Sequence, residues 1–219
     1  MIKAFAIALF LKILHKLLWR KKIIKEYVIQ GIFIPFYFVS SNIVTTTAKA
    51  LNNVTNIKNF CEVGGGSGYI AIELLKEFEN LYAVVIDIDE KATKISKVNA
   101  KKNGVFDRLD VVQCPSGHCL RRRSFDLTLS NPPYLPCPEP LSIQLCSGID
   151  ENVYIDIMSQ LVRVSKRFVV VSSSSLAKAW RAISNIFKDA ITFTFTVRTP
   201  FDEVKVMLID VGAKNIQDM

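Results

Sequence analysis

Short runs rich in β-branched and aromatic residues alternate with runs of helical periodicity from Asn59 onward. This alternation is typical of a parallel sheet whose strands are joined by helices. The predicted strands are Asn59–Val63, Tyr82–Ile86, Asp110–Gln113, Phe125–Ser130, Arg167–Val171, Ile191–Arg198 and Val204–Val211. The predicted helices are Tyr69–Glu79, Glu90–Lys102 and Val153–Val164. Residues 199–203 are too few for a crossover helix, so the last two strands should pair antiparallel. The sequence thus predicts a doubly wound α/β fold with a mostly parallel, seven-stranded sheet and an antiparallel last strand.

The segment Cys61–Tyr69 joins the first of these strands to the first of these helices, and its glycine-rich part, Gly64–Gly68, is called the glycine loop. Its regularly spaced glycines are Gly64, Gly66 and Gly68. Glycine lets the backbone turn tightly and lets a ligand approach it closely. About twenty residues later the next strand ends at Asp87, where a carboxylate can accept hydrogen bonds from a ribose. Tyr69 replaces the third glycine of the dinucleotide fingerprint, which argues against a nicotinamide cofactor. The two positions predict a nucleoside site; the alternative is a glycine turn before a helix capped by Asp89.

The segment Asn131-Pro132-Pro133-Tyr134 follows the predicted strand Phe125–Ser130, at the same edge of the sheet as the glycine loop. A residue that precedes a proline is restricted to extended geometry, so the Asn131 side chain and the Pro132 carbonyl have largely fixed directions. Two such acceptors can hold both N–H groups of a planar amine and aim its lone pair at an electrophilic methyl group. Tyr134 offers a ring on which an amide or a base can stack. The alternative is a proline turn with an Asx hydrogen bond.

The N-terminal residues 1–50 are predicted to form an extension, and residues 51–219 one domain. Apolar and basic residues between Met1 and Trp19 recur at helical spacing, which favours a basic amphipathic helix over a signal peptide or a spanning helix. This helix could pack on the domain, bind RNA or lie on a membrane surface. For the uncharged stretch from Tyr27 to Ala48, interrupted by Gly31 and Pro35 among others, we expect short strands and a loop.

Cysteine usage and charge set further expectations. Five cysteines at irregular spacing do not indicate a disulfide framework, so a reducing compartment is expected, and without a Cys-x-x-Cys pair no metal site is predicted. The net charge of +8 favours an acidic partner. Arg121–Arg123 form a compact basic cluster that could contact RNA phosphates or acidic groups of a protein, or be a solvated turn.

The glycine loop, Asp87 and Asn131-Pro132-Pro133-Tyr134 together resemble class I S-adenosylmethionine-dependent methyltransferases. The closer resemblance is to the family of release-factor glutamine methyltransferases and N6-adenine methyltransferases, and within it to a short archaeal and eukaryotic branch. The resemblance implies that S-adenosylmethionine is the cofactor. It assigns Glu62, Gly64, Gly66, Gly68, Asp87, Cys114 and Asn131 to cofactor binding and Asn131, Pro132, Pro133 and Tyr134 to catalysis.

Two departures from the branch concern the cofactor side of this site. Ser40-Ser41-Asn42 stands where the branch carries an acidic pair, and Cys114-Pro115 stands where an acid meets the adenine.

The resemblance leaves three functions open. The first is methylation of a glutamine in a translation release factor, which implies a cytoplasmic protein. The second is methylation of adenine N6 or another exocyclic amine of RNA or DNA, on a base turned out of its stack. The third is a non-catalytic binding module that keeps the fold. The resemblance also implies a small zinc-ribbon activator protein, to which a sheet edge near Val111 could offer a strand.

Overall fold

The computed structural model describes residues 2–20, 34–54, 56–139, 145–198 and 202–212. Two helices come first, α1 (Ile2–Arg20) and α2 (Ile34–Asn53). The strands are β1 (Asn59–Val63), β2 (Tyr82–Asp87), β3 (Leu109–Gln113), β4 (Phe125–Ser130), β5 (Ser165–Ser174), β6 (Ile191–Arg198) and β7 (Glu203–Asp210). The remaining helices are α3 (Tyr69–Glu77), α4 (Glu90–Lys102), α5 (Asn152–Val164) and α6 (Lys178–Ile186), with a short 3-10 helix at Phe106–Arg108. None of the helices in the described ranges is long and apolar enough to cross a membrane.

The seven strands form one sheet in the order β3-β2-β1-β4-β5-β7-β6. Strands β1 to β5 are parallel to their neighbours, while β7 pairs antiparallel with both β5 and β6. The predicted fold class is therefore confirmed, including the antiparallel end of the sheet. The chain reverses its direction of travel across the sheet between β1 and β4, and open α/β sheets bind ligands beyond the carboxyl ends of strands at such a point.

All seven predicted strands and three predicted helices are present, with bounds that differ by at most a few residues. Burial explains this agreement for β1 and β4, which are enclosed along nearly their whole length, whereas β3 and β6 are largely exposed. Phe60, Ile86, Leu127 and Leu129 from the sheet are fully enclosed, as is Leu75 from α3. Helix α6 has no counterpart among the periodic segments predicted from the sequence.

The expectation of short strands and a loop before residue 48 is wrong for residues 34–48, which lie in the 20-residue helix α2; residues 27–33 fall outside the described part of the chain. Pro35 is the second residue of this helix, where proline is tolerated because the first turn has no N–H partner to lose. The hydroxyl of Thr45 bonds back to the Ser41 carbonyl within the helix. Contacts with α3, β5 and β7 supply the stability that propensity does not. Helix α2 also runs through the predicted boundary at residue 50.

Candidate functional site

The carboxyl ends of β1 and β4 lie side by side and bring the two predicted motifs together. These strands are parallel neighbours, with Glu62 opposite Leu129. At their ends the Ser130 hydroxyl donates a hydrogen bond to the Val63 carbonyl over 2.7 Å, and both groups are buried. The glycine loop begins one residue after Val63, and the Asn-Pro-Pro-Tyr segment begins one residue after Ser130. The structure therefore places both motifs at one edge of the sheet.

The glycine loop has a backbone that requires glycine at several positions. Gly64, Gly66 and Gly68 all have positive φ angles, between 55° and 75°. At Gly64 and Gly66 an added Cβ would meet no described atom within 4 Å, so these residues border open space. At Gly68 an added Cβ would collide with the Ser96 side chain of α4. The loop thus leaves its outer side open to a ligand while its inner side packs closely.

Asp87 at the end of β2 holds the glycine loop from the neighbouring strand. One carboxylate oxygen accepts a hydrogen bond from the Gly66 N–H at 2.8 Å, and the other accepts one from the Asp89 N–H at 2.9 Å. Burial raises the pKa of Asp87, and the two backbone donors oppose that rise. The predicted ribose acceptor therefore lies beside the open loop, as a nucleoside site requires.

Glu62 lies beneath the loop as a buried carboxyl group. Its Oε2 accepts a hydrogen bond from the Ala71 N–H in the first turn of α3, at 2.9 Å. Burial raises its pKa to about 8, partly offset by this hydrogen bond and increased further by the charge of Asp87. Glu62 and Asp87 are thus two carboxyl groups on adjacent strands, and with a pKa of about 8 Glu62 is mostly protonated at neutral pH.

The Asn131 side chain is fixed on both sides by serine hydroxyls. Its Oδ1 accepts a hydrogen bond from the Ser172 hydroxyl of β5 at 2.6 Å, and its Nδ2 donates one to the Ser40 hydroxyl of α2 at 3.1 Å. Both serines are buried, whereas Asn131 is partly exposed. An amide oxygen has two lone pairs, so Oδ1 keeps one acceptor position besides the one that Ser172 uses. This arrangement presents an acceptor of fixed direction at the edge of the sheet.

Pro132, Pro133 and Tyr134 continue from Asn131 into the interior. Pro132 is buried and Pro133 is partly buried. Tyr134 is also buried. Burial is the main cause that raises the pKa of its hydroxyl, and the nearby Asp202 and Tyr154 raise it further. The hydroxyl is therefore neutral at physiological pH. Stacking of a substrate on the Tyr134 ring stays a prediction.

Four of the five cysteines are paired in disulfides, so the expectation of no disulfide framework is wrong, and the reducing compartment inferred from it loses its support. Cys114 is bonded to Cys119, and Cys137 to Cys146, while Cys61 is free and buried. The first pair closes a short loop between β3 and β4, and the second closes one between β4 and α5. Such local pairs show no regular spacing along the sequence, so the sequence pattern did not indicate them. The Cys114 side chain is therefore engaged, but its backbone N–H donates to the Asp87 carbonyl and keeps it next to the predicted nucleoside site.

Comparison with known proteins agrees with this geometry. Residues 38–137 match the family model described as "Methyltransferase small domain". Just under half of the chain is therefore similar to this family. The matched range begins within α2 and ends just after Asn131-Pro132-Pro133-Tyr134, so it includes both motifs and the Ser40 hydroxyl that contacts Asn131.

Similar proteins extend the comparison. A bifunctional methyltransferase of Rickettsia typhi is 38% identical over 111 residues, which are 49% of this chain and 21% of that protein. A release factor glutamine methyltransferase of Dictyoglomus turgidum is 34% identical over 116 residues, 51% of this chain and 40% of that protein. The chain thus spans less than half the length of these two relatives.

The fold has counterparts among solved structures. The magnesium protoporphyrin IX methyltransferase of Synechocystis PCC 6803, solved with bound S-adenosylmethionine, superposes with a TM-score of 0.60. It is 15% identical, and the alignment covers 84% of each chain. At this identity the likeness concerns the fold alone.

The arginine cluster lies away from the candidate site. Arg121–Arg123 precede β4, and the Arg123 N–H donates to the Arg163 carbonyl near the end of α5. Asn131 follows the other end of β4, a strand of six residues, which is about 20 Å long. The cluster is exposed but belongs to the opposite edge of the sheet.

Two residues of the site were not predicted from the sequence. Ser40 had been noted only as a departure from the acidic pair of the resembling branch, and Ser172 lies in a run of four serines that ends β5. The serine run was the signal in the sequence, because hydroxyls at the carboxyl end of a central strand are buried and need hydrogen-bond partners. The structure brings the other predicted side chains, Glu62, Asp87 and Asn131, to the same edge.

Proposed function

We propose that this chain transfers a methyl group from S-adenosylmethionine to the side-chain amide nitrogen of a glutamine in a translation release factor. The observation that carries the proposal is the Asn131 side chain, held by Ser40 and Ser172 beside the glycine loop. The reaction would take place where release factors act, which implies a cytoplasmic protein.

The residues of the glycine loop and β2 suit the cofactor. Gly64 and Gly66 border open space, and Asp87 lies beside them as the acceptor for a ribose. Glu62 lies below the loop and, with Asp87, favours a cationic ligand when ionised. The Cys114 backbone would border the adenine. When bound, S-adenosylmethionine supplies an electrophilic methyl group.

Asn131 would act on the nitrogen that receives the methyl group. An amide nitrogen is a poor nucleophile because its lone pair is delocalised into the carbonyl group. Hydrogen bonds from its two N–H groups to Asn131 Oδ1 and the Pro132 carbonyl would favour tetrahedral geometry and direct the lone pair. Because Ser172 already bonds to Oδ1, the acceptor does not have to reorient when substrate arrives.

The choice of glutamine rests on the relatives and on the placement of charge. The Dictyoglomus turgidum relative is named as a release factor glutamine methyltransferase. The arginine cluster, which would favour RNA if it bordered the site, lies at the other edge of the sheet. Both observations support the protein substrate.

Methylation of adenine N6 or another exocyclic amine of RNA or DNA is the second candidate. The same Asn131 and Pro132 acceptors would suit it, and the net charge of +8 favours nucleic acid. A non-catalytic binding module is the third candidate, and the engaged Cys114 side chain in place of an acid is its support.

One experiment separates these candidates. Radiolabelled S-adenosylmethionine is incubated with the purified chain and either release factor or total RNA, with Asn131→Ala as the control. Label in the release factor that the variant does not transfer supports the proposal. Label in RNA would move the assignment to base methylation, and label in neither, with cofactor binding intact, would favour the non-catalytic module.

We further propose that the zinc-ribbon activator that the resemblance implies pairs with the outer side of β3, the end strand among the described strands. β3 lies at one side of the sheet. Its Val111 is partly exposed, and its Val112 is exposed. An edge strand of this kind can pair with a strand of another protein. Full activity of the purified chain alone, unchanged by Val112→Lys, would contradict an activator at this edge.

A further inference from the structure

Helix α1 has two opposite apolar faces, and within the described part of the chain one of them packs on the protein while the other is exposed. The face toward the protein, which packs on α2, carries Ala4, Ile7, Ala8 and Leu11, all buried or packed against the core. The other face carries Ile2, Phe5, Leu9 and Ile13, which are 89%, 44%, 41% and 51% exposed. At about 100° per residue these four residues form one line along the helix, which we call the apolar stripe.

The apolar stripe is larger than scattered surface hydrophobics. Its four side chains follow one another at intervals of three, four and four residues, over a length of about 17 Å. Single exposed apolar residues are ordinary, but a helix that is apolar on opposite sides is normally covered on both. The stripe therefore indicates a surface that is covered in the functional state of the protein.

The charge around α1 restricts what can cover it. Residues 1–25 contain seven Lys and Arg residues and no Asp or Glu; the first acid is Glu26. Lys3 and Lys12 are exposed on α1 itself. Two copies of this helix packed together would bring like charges close, whereas an anionic surface would be attracted. The segment thus combines an apolar face with purely positive charge.

We propose that α1 lies on an anionic lipid surface, with the apolar stripe among the acyl chains and the basic residues at the headgroup phosphates. Lipid acyl chains are fluid and conform to the straight, convex line of side chains that the apolar stripe forms. A folded protein could cover the stripe only if it had a matching groove. Apolar insertion together with attraction to anionic lipid is the general mode of interfacial helices. This inference is independent of the methyl-transfer reaction, because α1 contributes no residue to the site described above.

The test uses the full chain and sedimentation with large unilamellar vesicles. One vesicle type contains phosphatidylcholine alone, and the other contains phosphatidylcholine mixed with phosphatidylglycerol. We expect binding to the anionic vesicles, weakened by added salt, and much less to the neutral ones. Phe5→Ser/Leu9→Ser should lower the partition coefficient at least about tenfold, since two large apolar side chains no longer insert.

A matched control is Ile155→Ser/Ile186→Ser, which removes two apolar side chains of similar exposure from α5 and α6 and should leave vesicle binding unchanged. Lys3→Glu/Lys12→Glu should abolish the preference for anionic vesicles. An unchanged thermal midpoint shows that each variant is folded.

Three results would overturn the proposal. The first is the absence of binding to either vesicle, and the second is equal loss of binding in the stripe variant and the control. The third is a concentration-dependent dimer that Phe5→Ser/Leu9→Ser dissociates while vesicle binding persists, which would assign the stripe to a second copy of the chain.

Discussion

Asn131 owes its direction to hydrogen bonds from two distant parts of the chain. Ser40 lies 91 residues before it and Ser172 lies 41 residues after it. The sequence motif identifies the asparagine but not these partners, because hydrogen bonds across such separations depend on how α2 and β5 pack. The residue-scale predictions concern the four side chains that define the site.

Replacing Asn131 and Asp87 should affect different steps. Asn131→Ala should lower turnover by about a hundredfold or more, because the acceptor for the reacting nitrogen is lost, with little change in cofactor affinity. Asp87→Ala should instead weaken cofactor binding by about tenfold to a hundredfold, since its hydrogen bonds to ligand and to Gly66 are lost. Steady-state kinetics and calorimetric titration with S-adenosylmethionine measure the two effects. Intact turnover in Asn131→Ala would contradict the assignment.

Ser172 should act as a positioning residue for Asn131. Ser172→Ala should lower kcat about tenfold while leaving KM for the cofactor unchanged, because Oδ1 is no longer held by the 2.6 Å hydrogen bond. Ser172→Thr keeps the hydroxyl and should restore most of the rate. Ser165→Ala, which removes a buried hydroxyl from the other end of the same strand, is the control and should leave kcat unchanged. Equal losses in both alanine variants would assign Ser172 a structural role only.

Glu62 should make stability depend on pH. Its pKa rises from an ordinary 4.5 to about 8 in the folded protein, chiefly through burial. The folded state therefore holds this proton more tightly than the unfolded chain, and the resulting stabilisation is full below pH 4.5 and lost as pH rises to about 8. Glu62→Gln lacks this dependence. Urea unfolding of both proteins across this window should show wild-type stability falling relative to the variant; a constant difference would contradict the account.

Whether a strand or helix could be predicted from the sequence depends on what stabilises it. Strands β1 and β4 were predicted to the residue, and both are buried along nearly their whole length. Residues 34–48 of helix α2 were predicted as strands and loop, because Pro35 and Ser40-Ser41-Asn42 are typical of turns and loops. The helix owes its stability to packing on α3, β5 and β7. Local pattern cannot reveal stabilisation that arises from distant contacts.

The disulfide Cys137–Cys146 should stabilise the connection that follows Tyr134. It closes a loop with a sequence separation of 9, which the chain-entropy description equates to about 3 kcal/mol. Cys137→Ser/Cys146→Ser should lower the free energy of unfolding by up to that amount, measured by urea denaturation without reductant. Reduced wild type should match the variant.

Counting reactive thiols tests whether the four cysteines are paired. Denatured but unreduced protein should expose one reactive thiol, from Cys61, out of five cysteines. Five reactive thiols in protein purified under oxidising conditions would contradict the pairing.

At the scale of the molecule, the fold and the edge that binds ligand could be predicted, whereas the neighbourhood of each motif could not. The reversal of chain direction at β1 and β4 follows from the order of the strands, and it joins the glycine loop to Asn131. That Arg121–Arg123 belong to the other edge also follows from strand direction, since they precede β4 rather than follow it. The disulfides and the serine contacts required the three-dimensional structure.

This separation of the two edges predicts a mild effect for the arginine cluster. Arg121→Ala/Arg122→Ala/Arg123→Ala should leave kcat unchanged, because the cluster is about 20 Å from Asn131 along β4. At most KM for a macromolecular substrate should rise. Kinetics with release factor and with a short glutamine peptide compare the two effects. A kcat loss of tenfold or more with both substrates would place the cluster in the catalytic machinery.

Tandem mass spectrometry of release factor, after incubation with the chain and S-adenosylmethionine, identifies the atom that receives the methyl group. We expect one added methyl group on the side-chain amide nitrogen of a glutamine, absent when Asn131→Ala replaces the wild-type chain. A methyl group on any other atom of the release factor, or the same modification produced by Asn131→Ala, would contradict the proposed reaction.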